Sequence, residues 1–241
     1  MTRTKKGLLR VCWLIFCALC CAPAEAKTRL DLNGEWLFRT DPTRDGMARG
    51  WSKAVAAEAE TVEVPHTWNV GKYDDYEGVA WYFKTFTQPD EFRGKHVELN
   101  FGATFYRSRV WLNGVELGSH EGGHTAYHFN ITPHLQPVNF IAVEIDNRPT
   151  SATIPGWALR LGKENEAWYD WWHYGGIVRD VWLSASAPAF IRRQQIRVKV
   201  EGSPANVATS AGNVATNSAT VTTRVFLENF AGKQVDARLL G

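Results

Sequence analysis

The chain has 241 residues, 27 lysines and arginines, 25 aspartates and glutamates, four cysteines and a formal net charge of +2. Arg3, Lys5, Lys6, Arg10 and Glu25 all fall within the first 26 residues, so the rest carries 23 basic against 24 acidic groups, a charge of −1 that points away from nucleic acid or an anionic membrane as a partner. All four cysteines, Cys12, Cys17, Cys20 and Cys21, lie in that same leader, which excludes disulfides, thiolate metal sites and cysteine nucleophiles from the remainder.

Residues 1–26 read as an export signal: the basic stretch above, the apolar run Val11–Cys21, and the small-residue cleavage site Ala24-Glu25-Ala26. A mature chain starting at Lys27, periplasmic or extracellular, is the expectation. The apolar run is shorter than the roughly 20 residues a membrane helix needs, so no membrane span is expected. Lipid modification at Cys20 or Cys21 is the rival reading, although neither follows a leucine and small residues in the usual pattern.

Period-two alternation predicts strands at Val97–Phe101, with Val97, Leu99 and Phe101 on one face and Glu98 and Asn100 on the other, and at Ile141–Ile145, with Ala142 and Glu144 opposite the isoleucines and Val143. Both are expected to be half-buried. Asn113-Gly114 between Val110–Leu112 and Val115–Leu117 tolerates positive φ at both central positions, which predicts a type I′ hairpin. Only the alanine-rich Met47–Glu60 region could carry one or two helical turns. Short strands separated by Gly, Pro and Asn turns predict an all-β fold, a jelly-roll sandwich over 27–186.

A second unit is expected over 187–241. The strand Val178–Leu183 stops at Ala185-Ser186-Ala187-Pro188, and alternation restarts at Ile196, Val198 and Val200. Gly202–Ala219, small and polar with Asn-Val-Ala-Thr at 206–209 and again at 213–216, reads as a flexible hairpin loop before a strand through Val221, Thr223, Val225 and Leu227. Three strands are too few for the roughly seven of an immunoglobulin-like sandwich, so this unit is expected to be the truncated start of one.

Five segments in order, LNGEWLF (32–38), VPHTWN (64–69), GVAWYFKTF (78–86), VWLNGVELGSHEGGHTAYHFNIT (110–132) and YGGIVRDVWL (174–183), resemble the N-terminal sugar-binding domain of glycoside hydrolase family 2, the family of β-galactosidases and β-glucuronidases. The resemblance implies a jelly roll, then an immunoglobulin-like sandwich, then a (β/α)₈ barrel carrying two glutamates, and nothing in this chain matches the barrel. It further implies hydrolysis of a terminal β-linked sugar with retention in a complete enzyme. A non-catalytic carbohydrate-binding or adhesion module is the alternative. No cofactor is expected.

Retention needs two carboxyl groups about 5–5.5 Å apart on a rigid scaffold. Asp74, Asp75 and Glu77, and likewise Glu164 and Glu166, sit in loop-like sequence and read as solvated acids, so no catalytic residue is expected in this chain. Asp170 differs. In WYDWWHYGGI (168–177) it stands where the family carries an aspartate that reaches the barrel's active site and accepts sugar hydroxyls. The alternative for Asp170 is a local turn cap. By the same resemblance Trp171, Trp172 and His173 join it as candidate sugar-binding residues, forming a wall toward the barrel. Glucuronidase-like members carry phenylalanines where Trp171 and Trp172 stand, and galactosidases carry a sugar-contacting asparagine in place of Thr67, so the sugar stays open.

His120, His124 and His128 have i, i+4, i+8 spacing that would align three imidazoles on a helix, but Gly122 and Gly123 interrupt them and a strand follows, so no metal site is expected. His124 is expected on a loop facing the barrel. Asn130-Ile131-Thr132 matches a glycosylation sequon and reads as a structural turn.

Overall fold

A computed structural model of the protein describes residues 28–154, 158–160, 163–168, 173–201, 218–234 and 236. Chain contacts divide it into a first unit ending at Ser186 and a second beginning at Ala187. Among the described residues the structure is all-β, its only helical turns being two short 3₁₀ segments at Asp90–Phe92 and Thr132–His134.

In the first unit two antiparallel sheets form a jelly-roll sandwich. One sheet has the order β3 (Glu60–Val64), β2 (Gly34–Asp41), β4 (Val79–Thr87), β9 (Val138–Asp146), β6 (Arg107–Leu112), β7 (Val115–Glu121). The other has the order β1 (Thr28–Asp31), β12 (Val181–Ser186), β5 (His96–Phe101), β8 (Tyr127–Asn130). Facing side chains from both, among them Phe38, Tyr82 and Val143 against Leu99, Phe101 and Leu183, make one buried core. Non-directional apolar burial of this kind is the main force holding such sheets face to face.

The expected hairpin is present: Leu112 pairs with Val115, and Asn113 and Gly114 have φ of 52° and 81°. The expected half-burial is not. In β5 all six residues are buried, including His96, Glu98 and Asn100 on the side turned from the core. Hydrogen bonds make that burial tolerable, since Asn100 donates to the Glu98 and Trp182 carbonyls and to Ser184 Oγ, and His96 Nε2 lies 3.2 Å from Glu98 Oε1. In β9 Ala142 is fully buried too, because the outward face of the larger sheet carries a second apolar cluster. Trp81, Phe83 and Trp111 form it, and Trp51 and Ala56 from the excursion between β2 and β3 cover part of it.

That excursion contains the alanine-rich Met47–Glu60 stretch up to the start of β3 at Glu60, and it forms hydrogen-bonded turns and no helix. Asp41 explains why. Its buried carboxylate accepts N–H groups from Asp45 and Gly46 and the indole N–H of Trp81, which ties the chain to the sheet where a helix would otherwise start. Beyond β9, β10 (Ala158–Arg160) and β11 (Lys163–Trp168) pair as a small antiparallel hairpin. Glu164 and Glu166 therefore sit on a strand and not in the expected loop.

The second unit, as described, is a two-stranded antiparallel ribbon of β13 (Ala189–Glu201) and β14 (Ser218–Asn229). Ile196 pairs with Thr223 and Val198 with Val221. Ser218 and Ala219, read from sequence as loop, extend β14, and 202–217 lies outside the described residues.

Candidate functional site

Sequence alone points to the Trp168–Tyr174 segment, and the structure describes how its C-terminal end is held. The chain from Gly175 to Val178 runs between two other segments and bonds to both. His66 N–H donates to the Ile177 carbonyl at 2.7 Å and Trp68 N–H to the Gly175 carbonyl at 3.0 Å. On the other side Phe105 and Gly176 exchange two bonds, at 2.8 and 3.2 Å, and Val178 N–H reaches the Ala103 carbonyl at 3.1 Å.

Both glycines are required by close approach. A Cβ on Gly175 would collide with the Trp68 indole, and one on Gly176, where φ is +136°, would collide with the His66 carbonyl. The adjoining groups are well tethered. His66 Nδ1 is hydrogen-bonded to the Tyr82 hydroxyl at 2.7 Å, and Trp68 Nε1 donates to the Tyr76 carbonyl at 3.0 Å. Burial pushes the Tyr82 hydroxyl well up, the Tyr76 hydroxyl up to about 12, and the His66 imidazole down.

This place lies at one end of the sandwich. The connections after β5, β7 and β9 and before β12 all emerge there, since Arg107 pairs with both Glu121 and Asp146 while Phe101 pairs with both Tyr127 and Val181. Asn147 braces the rim: its Oδ1 accepts Gly78 N–H at 2.8 Å and its Nδ2 donates to the Tyr76 carbonyl at 3.4 Å. Two sequence motifs far apart in the chain also meet at β12. Asn33 of the LNGEW segment donates Nδ2 to Asp180 Oδ1 at 3.0 Å and accepts Val181 N–H at 2.9 Å, which explains the Arg-Asp-Val element as an anchor for the first strands.

Of the four candidate sugar-binding residues, Asp170, Trp171 and Trp172 lie outside the described residues. His173 is described and is 5 % exposed, its ring edge-on to Phe105 at 5.0 Å and 86°. Burial lowers its imidazole pKa, opposed by a hydrogen bond with the Asn147 backbone and by the charge of Glu77. Tyr174 beside it is exposed. His173 is thus buried within the rim and packed against Phe105. Phe105 and Asn147 were not singled out from sequence, where a lone Phe after Gly-Ala-Thr and an Asn after a strand carry no signal of their own.

Asp74, Asp75 and Glu77 are exposed on the 65–78 connection, as solvated acids should be. The three spaced histidines are dispersed. His120 lies on β7, stacked on Tyr127 at 4.2 Å and within 3.1 Å of Thr125 Oγ1. His124 is on the following loop, edge-on to Phe105 at 5.7 Å, and His128 is on β8 in the other sheet, 3.9 Å from Glu98. In the sequon, Asn130 Oδ1 accepts Thr132 N–H at 3.0 Å, the local turn read from sequence.

Residues 67–174 match the family described as glycosyl hydrolase 2 galactose-binding domain-like. The chain is 28% identical over 197 residues to a β-glucuronidase of Paenibacillus borealis, a match covering 75% of this chain and 33% of that protein. It is 30% identical over 162 residues to a β-galactosidase of Thermoanaerobacter pseudethanolicus, covering 64% and 20%. The solved structure of Ruminococcus gnavus β-glucuronidase superposes with a TM-score of 0.70 at 26% identity, over 86% of this chain and 34% of that one. The chain therefore spans about a third or less of the length of these relatives.

Proposed function

Because the chain belongs to glycoside hydrolase family 2, as that family's N-terminal sugar-binding domain region, we propose that it serves a complete β-glycosidase as an accessory lobe. The enzyme is exported and cleaves a terminal β-linked sugar with retention. Its two carboxylates belong to a barrel in the part of the protein that corresponds to the remaining length of the relatives. This lobe contributes Asp170, which accepts sugar hydroxyls, with Trp171 and Trp172 as apolar walls. The ribbon of β13 and β14 opens an immunoglobulin-like sandwich between lobe and barrel.

The observation that carries the reading is the clamp on Gly175 and Gly176. Bonds from Trp68, His66 and Phe105 fix the exit of the 168–174 segment on the rim of the sandwich. A segment whose exit is tethered so closely can offer a carboxylate to a neighbouring domain at small entropic cost, which is what positioning a sugar demands.

The test is to incubate the 241-residue chain with chromogenic β-galactoside, β-glucuronide and β-mannoside. No turnover is expected from it. Turnover that survives repurification would place the catalytic pair within this chain and overturn the proposal.

A further inference from the structure

The outward face of the six-stranded sheet is apolar beyond the part that the 42–59 excursion covers. Trp51 and Ala56 pack against Trp81 and Trp111, but beside them a trough of about 310 Å³ stays open, floored by Leu37, Phe83 and Phe140 with Val55 at its lip. That volume is at the small end of ligand sites, roughly 300–1,000 Å³. There the Phe83 and Phe140 rings stack at 6.0 Å and 12° from parallel, Phe83 buried and Phe140 partly exposed.

The rim is polar. Thr61 and Thr85 offer hydroxyls and Glu35 a carboxylate, whereas the Lys84 side chain alternates to the other face of β4, over Trp36. Lys84 Nζ donates to the Glu35 carbonyl at 2.7 Å, and it feels the charges of Glu35, Glu63 and Asp31.

We propose that this trough is a second carbohydrate site, taking one neutral pyranose unit of an oligosaccharide. A pyranose has an apolar C–H face and a belt of hydroxyls. The face stacks on the partly exposed Phe140 ring, and the hydroxyls meet Glu35, Thr61 and Thr85 at the rim. The Glu35 carboxylate at the rim disfavours uronate and sulfated units by like-charge repulsion. Thr85 and Phe140 pair six residues along β4 and β9 from Val79 and Asp146, where the rim with His173 lies, so about 20 Å of strand separates the two places. The trough thus stands apart from the accessory-lobe reading and does not depend on it.

The test is ligand-observed NMR and calorimetric titration of the 241-residue chain with lactose, cellobiose and mannobiose, and with glucuronic acid as the charged comparison. Saturable binding of at least one neutral disaccharide is expected, with a Kd of about 1 mM or tighter, and none of glucuronic acid at this site. Thr85→Arg, which fills the rim without removing an apolar contact, and Phe140→Ala should each weaken it at least about tenfold. Asp170→Ala should leave it unchanged. Absence of saturable binding overturns the proposal. So does binding indifferent to Thr85→Arg, and binding lost with Asp170→Ala in its place would assign the sugar to the 168–174 segment.

Discussion

Trp68 donates its backbone N–H to the Gly175 carbonyl at 3.0 Å while its indole fills the space in which a Cβ on Gly175 would stand. The two residues are 107 positions apart (175 minus 68), and each restricts the other: the indole requires a glycine, and the glycine lets the chain bond to the segment that carries the indole.

Gly175→Ala is accordingly expected to destabilise the first unit by about 1–3 kcal/mol, the scale of an inserted methyl in a packed site. Urea unfolding monitored by tryptophan fluorescence reads it. Combining it with Trp68→Leu, which removes the colliding ring, should recover part of the loss, a non-additivity expected only of residues in contact. Strict additivity would show that the clamp is not where the strain falls.

Asp41→Ala is expected to cost about 3 kcal/mol, because three N–H donors lose a buried, charged acceptor at once. The donors are those of Asp45, Gly46 and the Trp81 indole, and Asp41 is 2 % exposed. Hydrogen exchange at Asp45 and Gly46 should rise selectively. Protection equal to the parent's would mean that Trp51 and Ala56 hold the excursion unaided.

Stability should fall on mild acidification. His66 and His173 both have imidazole pKa values lowered chiefly by burial, so the unfolded chain binds protons first as pH falls. Their contribution is complete above the ordinary histidine value and is lost as pH drops below it toward the folded value. Between about pH 7.5 and 5.5 the Tm should decline, and His66→Gln should flatten that decline. A variant with the parent's slope would exclude His66 as a source.

In a complete enzyme, Asp170→Ala should reduce transition-state stabilisation by about 2–4 kcal/mol, the scale of losing charged hydrogen bonds to a bound sugar. Comparing kcat/KM of parent and variant on a chromogenic β-glycoside measures it. An unchanged value would return Asp170 to the role of a turn cap.

Elements with a local cause were legible in the sequence. Alternation placed β5, β9, β13 and β14, and Asn113-Gly114 dictated its own turn because only positive φ closes that hairpin. Burial was misjudged where its cause is distant. Ala142 looks like an outward residue until Trp51 and Ala56 fold over it, and Glu98 and Asn100 alternate like exposed residues although hydrogen bonds let both be buried. The candidate site divides the same way. The motif around Asp170 was readable as a motif, whereas Phe105, Asn147 and Trp68 act on it only through contacts across the sandwich.

Residue type and near-neighbour spacing suffice for an all-β chain and a hairpin at Asn113-Gly114, and its ordered motifs resemble the N-terminal domain of glycoside hydrolase family 2. Packing across the sandwich is what clamps Gly175 and Gly176 between Trp68, His66 and Phe105 and leaves a trough open beside Phe83 and Phe140. Those features depend on which strands lie side by side, and close packing between residues far apart in the chain leaves no periodic trace along it.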